Sequence, residues 1–180
     1  MNNINKVLVA IDGSNHAAKA VALAADIAAK YGAELVLLHV LLRQELPRDL
    51  QRIAEAEHLV SGDGRRVPAA SAAGLPVADL GSYLNLADGN ATMTEDILRV
   101  LGNKVLDNAE RSALEHGAGK ITKRIEDGKP VEAILDVAKS GNVDLIVTGA
   151  RGLSNMKALV VGSVSHKLAQ MSPVTCVTVH

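Results

Sequence analysis

Apolar residues in this chain fall into short unbroken runs and into stripes spaced three and four apart, and the two kinds alternate. Val7-Leu8-Val9-Ala10-Ile11 is continuous, the pattern of a strand buried on both faces. Asp12-Gly13-Ser14 turns the chain, with Ser14 placed to cap a helix. Ala17, Val21, Ala24, Ala28 and Tyr31 mark one buried stripe of that helix, and Gly32 suits a left-handed C-terminal residue. A second buried strand is predicted over 34–42, through Leu35-Val36-Leu37-Leu38-His39-Val40. Two buried strands joined by a helix form a right-handed parallel unit.

The second half repeats this grammar. Thr92 and Glu95 have capping-box spacing, and a helix is expected from there to about His116, with Ile97, Leu101, Val105, Ala109 and Ala113 on one stripe. Ile121, Lys123 and Ile125 lie in an alternating stretch, 120–126, that reads as an edge or half-exposed strand. Pro130 opens a helix with Val131, Ile134, Leu135 and Ala138 inward. A buried strand over 143–148, a helix over about 162–171 and a strand over 174–179 complete the chain. Five strands alternating with helices specify an open α/β sheet. Between Arg43 and Ala91 the pattern fails: apolar residues are sparse and Pro68 and Pro76 interrupt glycine-, alanine- and serine-rich sequence. That stretch reads as a partly mobile insertion at about 43–93 within a single domain spanning 1–180, acting as a lid or a docking arm.

Composition narrows the function. Basic and acidic residues number 19 and 20, so no strong field favours nucleic acid or an anionic membrane. There is no Phe or Trp and only two Tyr, which removes the usual stacking platform for single strands. A planar ligand must therefore be held by aliphatic side chains and backbone groups. The single cysteine, Cys176, excludes an internal disulfide and a thiolate zinc site, and it is expected to pack in the last strand. The start of the sequence has no basic segment followed by an apolar one, and no apolar run reaches membrane-spanning length, so a cytoplasmic protein is expected.

Candidate chemistry lies after the fourth strand, where Gly149-Ala150-Arg151-Gly152 is followed, nine residues on, by Gly162-Ser163. Ligands of open parallel sheets sit beyond the carboxyl ends of the strands. The glycines allow a tight turn with exposed N–H groups, and the helix after Gly162 offers its first N–H groups and positive dipole end to a phosphate. Ser163 and Ser165 add hydroxyl donors. The alternative is that these glycines only shape a loop and cap a helix. The dinucleotide fingerprint and the P-loop are absent, and a receiver domain lacks its lysine after the last strand.

These segments together resemble the universal stress protein family, in its ATP-binding branch. The resemblance rests on residues 7–14, 37–40 and 147–154, with Gly162-Ser163-Val164-Ser165 and Pro173-Val174, and it covers about 4–42 and 94–180. It implies an open five-stranded parallel sheet in the order 3-2-1-4-5 with helices on both faces, Rossmann-like and of the adenine nucleotide alpha hydrolase-like kind. It also implies ATP as ligand, with magnesium carried in on the triphosphate rather than held by protein side chains. Ala10, Ile11, Asp12 and Val40 correspond to positions near the adenine and nucleoside, Asp12 by contact and Val40 through backbone groups or as an apolar wall. Thr148, Gly149, Arg151 and Gly152 correspond to positions lining ribose and phosphates, and Gly162, Ser163, Val164 and Ser165 to those holding the phosphate tail.

Asp12 can equally serve as a turn cap, and His39 is expected to be a buried, hydrogen-bonded histidine rather than a ligand. Three functions share such a fold: a nucleotide-dependent stress regulator, a slow ATPase or phosphotransferase, and a ligand-free interaction module. The intact glycine signature disfavours the third, and the lack of a carboxylate at an evident spacing from the phosphate end disfavours the second. The final stretch, 174–179, is expected to pair with a second copy in a homodimer, which Val177→Pro is expected to break.

Overall fold

A computed structural model describes residues 4–41, 91–152 and 162–180, with side chains in the helix beginning at Ala91 described from Leu98 onward. The insertion expected at 43–93 falls outside the described residues, apart from backbone at its end. Among the described residues nine elements follow in order: β1 (Lys6–Ala10), α1 (Asn15–Tyr31), β2 (Glu34–Leu41), α2 (Ala91–Glu115), β3 (Lys120–Asp127), α3 (Pro130–Ser140), β4 (Leu145–Gly149), α4 (Ser163–Met171) and β5 (Thr175–Val179). All four strand pairings are parallel, and the order is β3-β2-β1-β4-β5, as the family resemblance implies.

Strands buried on both faces demand apolar cover on both sides, and the alternation of side chains divides the core accordingly. Val7, Val9, Leu35, Leu37, Leu145 and Val147 point to a layer closed by α1 and α2. Leu8, Val36, Leu38 and Ile146 point to the opposite layer, closed by α3 and α4. α1 starts where Ser14 Oγ accepts the Ala17 N–H at 3.2 Å and stops at Gly32, whose φ of 64° is left-handed. Both caps agree with the sequence reading.

Local pattern misplaced several side chains. Tyr31, counted in the buried stripe of α1, is 48% exposed: it is the last residue of the helix, and the buried line ends one turn earlier at Ala28. On α2 the buried line runs through Gly102, Leu106, Ala109 and Ala113. Leu101 and Val105 are only half-buried. On α3 the buried set is Ala133, Ile134, Val137 and Ala138, leaving Val131 and Leu135 partly covered. Thr92 lies inside α2 rather than capping it.

The two sheet edges differ. β3 carries Lys120, Lys123, Arg124, Glu126 and Asp127, and Lys123 Nζ reaches Glu110 of α2 at 2.6 Å and Asp107 at 2.9 Å. Those two carboxylates, Glu110 first, hold the Lys123 ammonium above its usual range. β5 has no charged residue. Its Val179 carbonyl accepts the Ala150 N–H, so the main-chain groups of Val179 and Val177 face β4 while those of Cys176 and Thr178 face outward. Val177→Pro therefore cuts the internal ladder, and the residue that tests the free edge is Thr178. Cys176 packs as expected, its thiol 3.7 Å from the Leu168 carbonyl.

Candidate functional site

The order in which strands are added reverses between β1 and β4: β2 and β3 extend the sheet on one side, β4 and β5 on the other. The crevice beyond the carboxyl ends of β1 and β4 is where such a sheet takes a ligand. The loops that meet there carry most of the residues singled out above.

After β1, the Asp12 carboxylate accepts the Ser14 N–H through Oδ1 at 2.9 Å, and Gly13 turns the chain at a φ of 86°. This is an Asx-type turn, so the capping role of Asp12 is realised. Its second oxygen lies beside Gly152, where a Cβ would sit only 2.5 Å from Oδ2. The Ser14 hydroxyl donates to the Arg151 carbonyl at 3.2 Å, tying the β1 turn to the loop after β4.

The two halves of the glycine motif also meet. The Gly162 N–H donates to the Ala150 carbonyl at 2.6 Å, so Gly162 lies against Ala150 although nine residues outside the described structure separate it from Gly152. Each glycine has its own steric reason. A Cβ on Gly149 would fall 2.7 Å from the His16 carbonyl carbon and 2.9 Å from the Ala17 nitrogen, so β4 abuts the backbone of α1. A Cβ on Gly162 would meet the Ala150 oxygen at 3.1 Å. Gly149 and Gly152 are thus required by the protein's own contacts. The Gly162 N–H is spent on Ala150, so among the described residues the N–H groups that can meet an anion are those of the first turn of α4, from Ser163 to Ser165.

There α4 begins without a side-chain cap. Its first N–H groups carry the positive end of the helix dipole. Ser163 is exposed. Ser165 is different: it is 2% exposed, and its hydroxyl is directed at the Gly162 carbonyl at 3.0 Å and the Ala150 carbonyl at 3.3 Å. That hydroxyl braces the motif, and a donor from Ser165 to a ligand must come from its backbone. Thr148 is buried, Val164 half-buried and Arg151 exposed.

Strand length builds the other wall. The β1–β2 ladder ends at Ala10↔Leu38, yet β2 continues to Leu41. The Leu38 carbonyl accepts the Ile11 N–H at 2.9 Å, which fixes the β1 side of β2. Two residues on, the main-chain N–H and C=O of Val40 face the same side, beyond the end of β1. Ile11 has no main-chain group to spare: its carbonyl takes the imidazole Nδ1–H of His39 at 2.7 Å. Sequence reasoning had His39 right as a bonded histidine and missed Gly102, which seats α2 on its ring.

A cleft of about 550 Å³ lies at the opposite, amino ends of the strands, lined by Asn5, Lys6, Glu34, Lys120 and Asp144 among others. Its charges are already answered. Glu34 bridges Lys6 and Lys120 at 3.5 and 3.3 Å, and Asp144 accepts the N–H groups of Asn5 and Lys6. A hydrogen bond from Thr122, aided by both lysines, holds the Glu34 carboxyl below its usual range. Among the described residues, no group of three or more His, Cys, Asp or Glu is arranged to hold a metal ion.

These features define a class: an open parallel α/β domain with a glycine-lined, helix-backed crevice at the reversal of strand order. The family model described as "Universal stress protein family" matches residues 3–180, and the chain belongs to that family. It is 34% identical over 172 residues to universal stress protein YxiE of Bacillus subtilis, covering 96% of this chain and 95% of that one. The fold matches universal stress protein UspA from Lactobacillus plantarum with a TM-score of 0.68 at 20% identity, each chain covered in full. It also matches a universal stress protein solved in complex with cAMP, TM-score 0.60 at 22% identity, covering 99% of this chain and 98% of the other. Among the described residues, no helix is long and apolar enough to cross a membrane.

Proposed function

We propose that this chain is an ATP-binding regulator of the universal stress protein family, in which the nucleotide stabilises a dimer or a partner-binding surface. The observation that carries the reading is the 2.6 Å bond from the Gly162 N–H to the Ala150 carbonyl, which sets the uncapped start of α4 against the glycine loop of β4. Phosphates fit such a place because neutral N–H donors and a helix dipole stabilise their charge without a lysine cluster. In this reading Gly162, Ser163, Val164 and the Ser165 backbone hold the phosphate tail, with Thr148, Gly149, Arg151 and Gly152 lining the ribose and phosphates. Asp12 Oδ2 and the main-chain groups of Val40 serve the nucleoside, with Ala10 and Ile11 as the aliphatic wall beneath it. A family structure holding cAMP supports a nucleotide as the ligand class.

Magnesium, in this reading, arrives on the triphosphate and keeps several waters. Regulation is favoured over turnover because Asp12, the carboxylate the described structure brings to the crevice, already braces the β1 turn. The uncharged β5 edge supports a homodimer in which a second copy pairs along Cys176 and Thr178.

The test is to purify the protein without added nucleotide, denature it and chromatograph the released small molecules. Co-purified ATP is the expected outcome, and ADP alone would move the reading to a slow hydrolase. Gly162→Val, which puts branched carbons against the Ala150 carbonyl and over the helix start, is expected to lower retention at least tenfold while the fold survives. A variant that retains nucleotide in full would remove the phosphate tail from this loop. Failure of the wild type to bind added ATP would leave the interaction-module reading.

A further inference from the structure

A parallel ladder that kept the β1–β2 register for one more step would pair Ile11 with His39. In that step the Ile11 N–H goes to the Leu38 carbonyl and the Val40 N–H goes to the Ile11 carbonyl. The first bond is present at 2.9 Å. The second position is occupied by something else: the Ile11 carbonyl lies 2.7 Å from His39 Nδ1, and the ladder stops at Ala10↔Leu38. A carbonyl only accepts, so Nδ1 carries the proton and donates.

Ile11 is 7% exposed, and leaving its carbonyl without a donor would be costly. The imidazole meets that need from the side chain, and β1 can then part from β2 one residue before the ladder would otherwise end. The Val40 N–H, released from its ladder partner, faces the crevice beyond β1. The ring is held in place from behind. Gly102 of α2 lies so close that a Cβ there would sit 2.9 Å from His39 Cδ2, 3.2 Å from a Leu41 methyl and 3.4 Å from an Ile125 methyl. A glycine inside a helix weakens it relative to alanine, so its presence here calls for a packing reason, and the ring is that reason.

We propose that His39, seated by Gly102, is a positioning residue: its Nδ1–H takes the Ile11 carbonyl and thereby keeps the Val40 N–H available to a ligand's base. The proposal deepens the nucleotide reading and rests on it for the identity of the ligand, but the state of the Val40 N–H is a property of the protein alone. Its effect is confined to the base. Phosphate contacts lie across the crevice at Gly162 and Ser163 and do not depend on the strand end.

Amide hydrogen exchange of the nucleotide-free protein, read by NMR, tests the protein side. The Val40 amide is expected to exchange freely in the wild type and to become at least tenfold more protected in His39→Leu, where the vacated carbonyl captures it. His39→Asn places an amide donor where Nδ1 stood and is expected to keep Val40 unprotected. Binding tests the ligand side: His39→Leu is expected to weaken ATP about tenfold, the scale of one well-placed hydrogen bond to a ligand, and His39→Asn to recover most of it. Inorganic tripolyphosphate, which has no base, is expected to bind all three proteins within twofold of one another.

Protection of Val40 in the wild type would overturn the proposal, as would unchanged ATP affinity in His39→Leu. Equal losses for ATP and tripolyphosphate would reduce His39 to a general structural role and overturn it too. If the wild type binds neither ligand, the nucleotide reading falls, while the exchange pattern still decides the role of His39. Should His39→Leu fail to fold, Gly102→Ala presses on the same ring and is expected to shift Val40 protection and ATP affinity in the same directions by a smaller factor.

Discussion

The two edges of the sheet are topological equals, each a parallel strand with one neighbour, yet they are built for opposite ends. β3 presents charged side chains held in ion pairs: Lys120 by Glu34, Lys123 and Asp127 by α2, and Arg124 by Glu126 of the same strand. An approaching strand would have to break those pairs or bury their charges, so this edge resists pairing. β5 presents Thr175-Cys176-Val177-Thr178-Val179, mostly half-buried and without charge. Its outward N–H and C=O groups are those of Cys176 and Thr178, and the strand itself carries no charge to discourage a second one. The contrast teaches that the two edges differ in the charge that guards them, and this difference is the ground for proposing β5 as the pairing edge.

The strongest way to break this comparison is to disturb the inner side of β5. Val177→Pro removes an N–H that faces β4 and leaves a buried carbonyl without its donor, at a cost of roughly 1–3 kcal/mol. Thermal or denaturant unfolding should register that loss in a monomer as in a dimer. Thr178→Pro, one residue on, removes an outward N–H instead. It should shift the sedimentation profile from dimer to monomer with a stability change of roughly 1 kcal/mol or less. Equal unfolding losses for the two variants would mean that the inward and outward assignments are wrong.

Stripping the other edge tests its protection. Lys123→Val with Arg124→Val leaves Asp107 and Glu110 unpaired on the surface and exposes an apolar strand. Concentration-dependent association absent from the wild type is expected in light scattering. The smallest effect belongs to Glu34, at the amino end of the β3 side. Its folded pKa is lowered, so its contribution is present above the ordinary value of 4.5 and fades as pH falls through the folded value. Glu34→Gln should therefore cost roughly 0.2–1 kcal/mol near neutral pH and less as acid is added. A cost that grows toward acid would reverse the sign of that linkage.

Much of this architecture was legible in the sequence because buried parallel strands advertise themselves as continuous apolar runs and α1 carries both of its caps. The strand order was legible only through family resemblance, since five strands can be laid side by side in many ways. Errors came where tertiary contact overrides local period. Tyr31 continues a stripe that the fold does not continue, and Gly102 reads as a weak point of a helix until His39 lies beneath it. In the candidate site, Asp12 looked like a choice between cap and ligand contact, and geometry realises the cap through Oδ1 while setting Oδ2 beside Gly152. Ser165 looked like a second hydroxyl donor for phosphate. Its burial against two carbonyls is a long-range fact that spacing could not carry. Val40 was chosen by resemblance, and the structure adds that β2 outruns β1 there.

α1 meets the sheet with Ala17, Ala20, Val21, Ala24, Ala25 and Ala28, five alanines and one valine. Side chains this small bring the helix axis close to β1 and β4, close enough for the Gly149 backbone to rest on His16 and Ala17. For sequence drift, such a face is a ratchet with almost no travel. Larger residues collide with the strands, and the only smaller one is glycine, which loosens the helix. Neutral substitutions should thus accumulate on the opposite, solvent-facing side of α1, while the inner line stays fixed by lack of room rather than by any chemistry it performs.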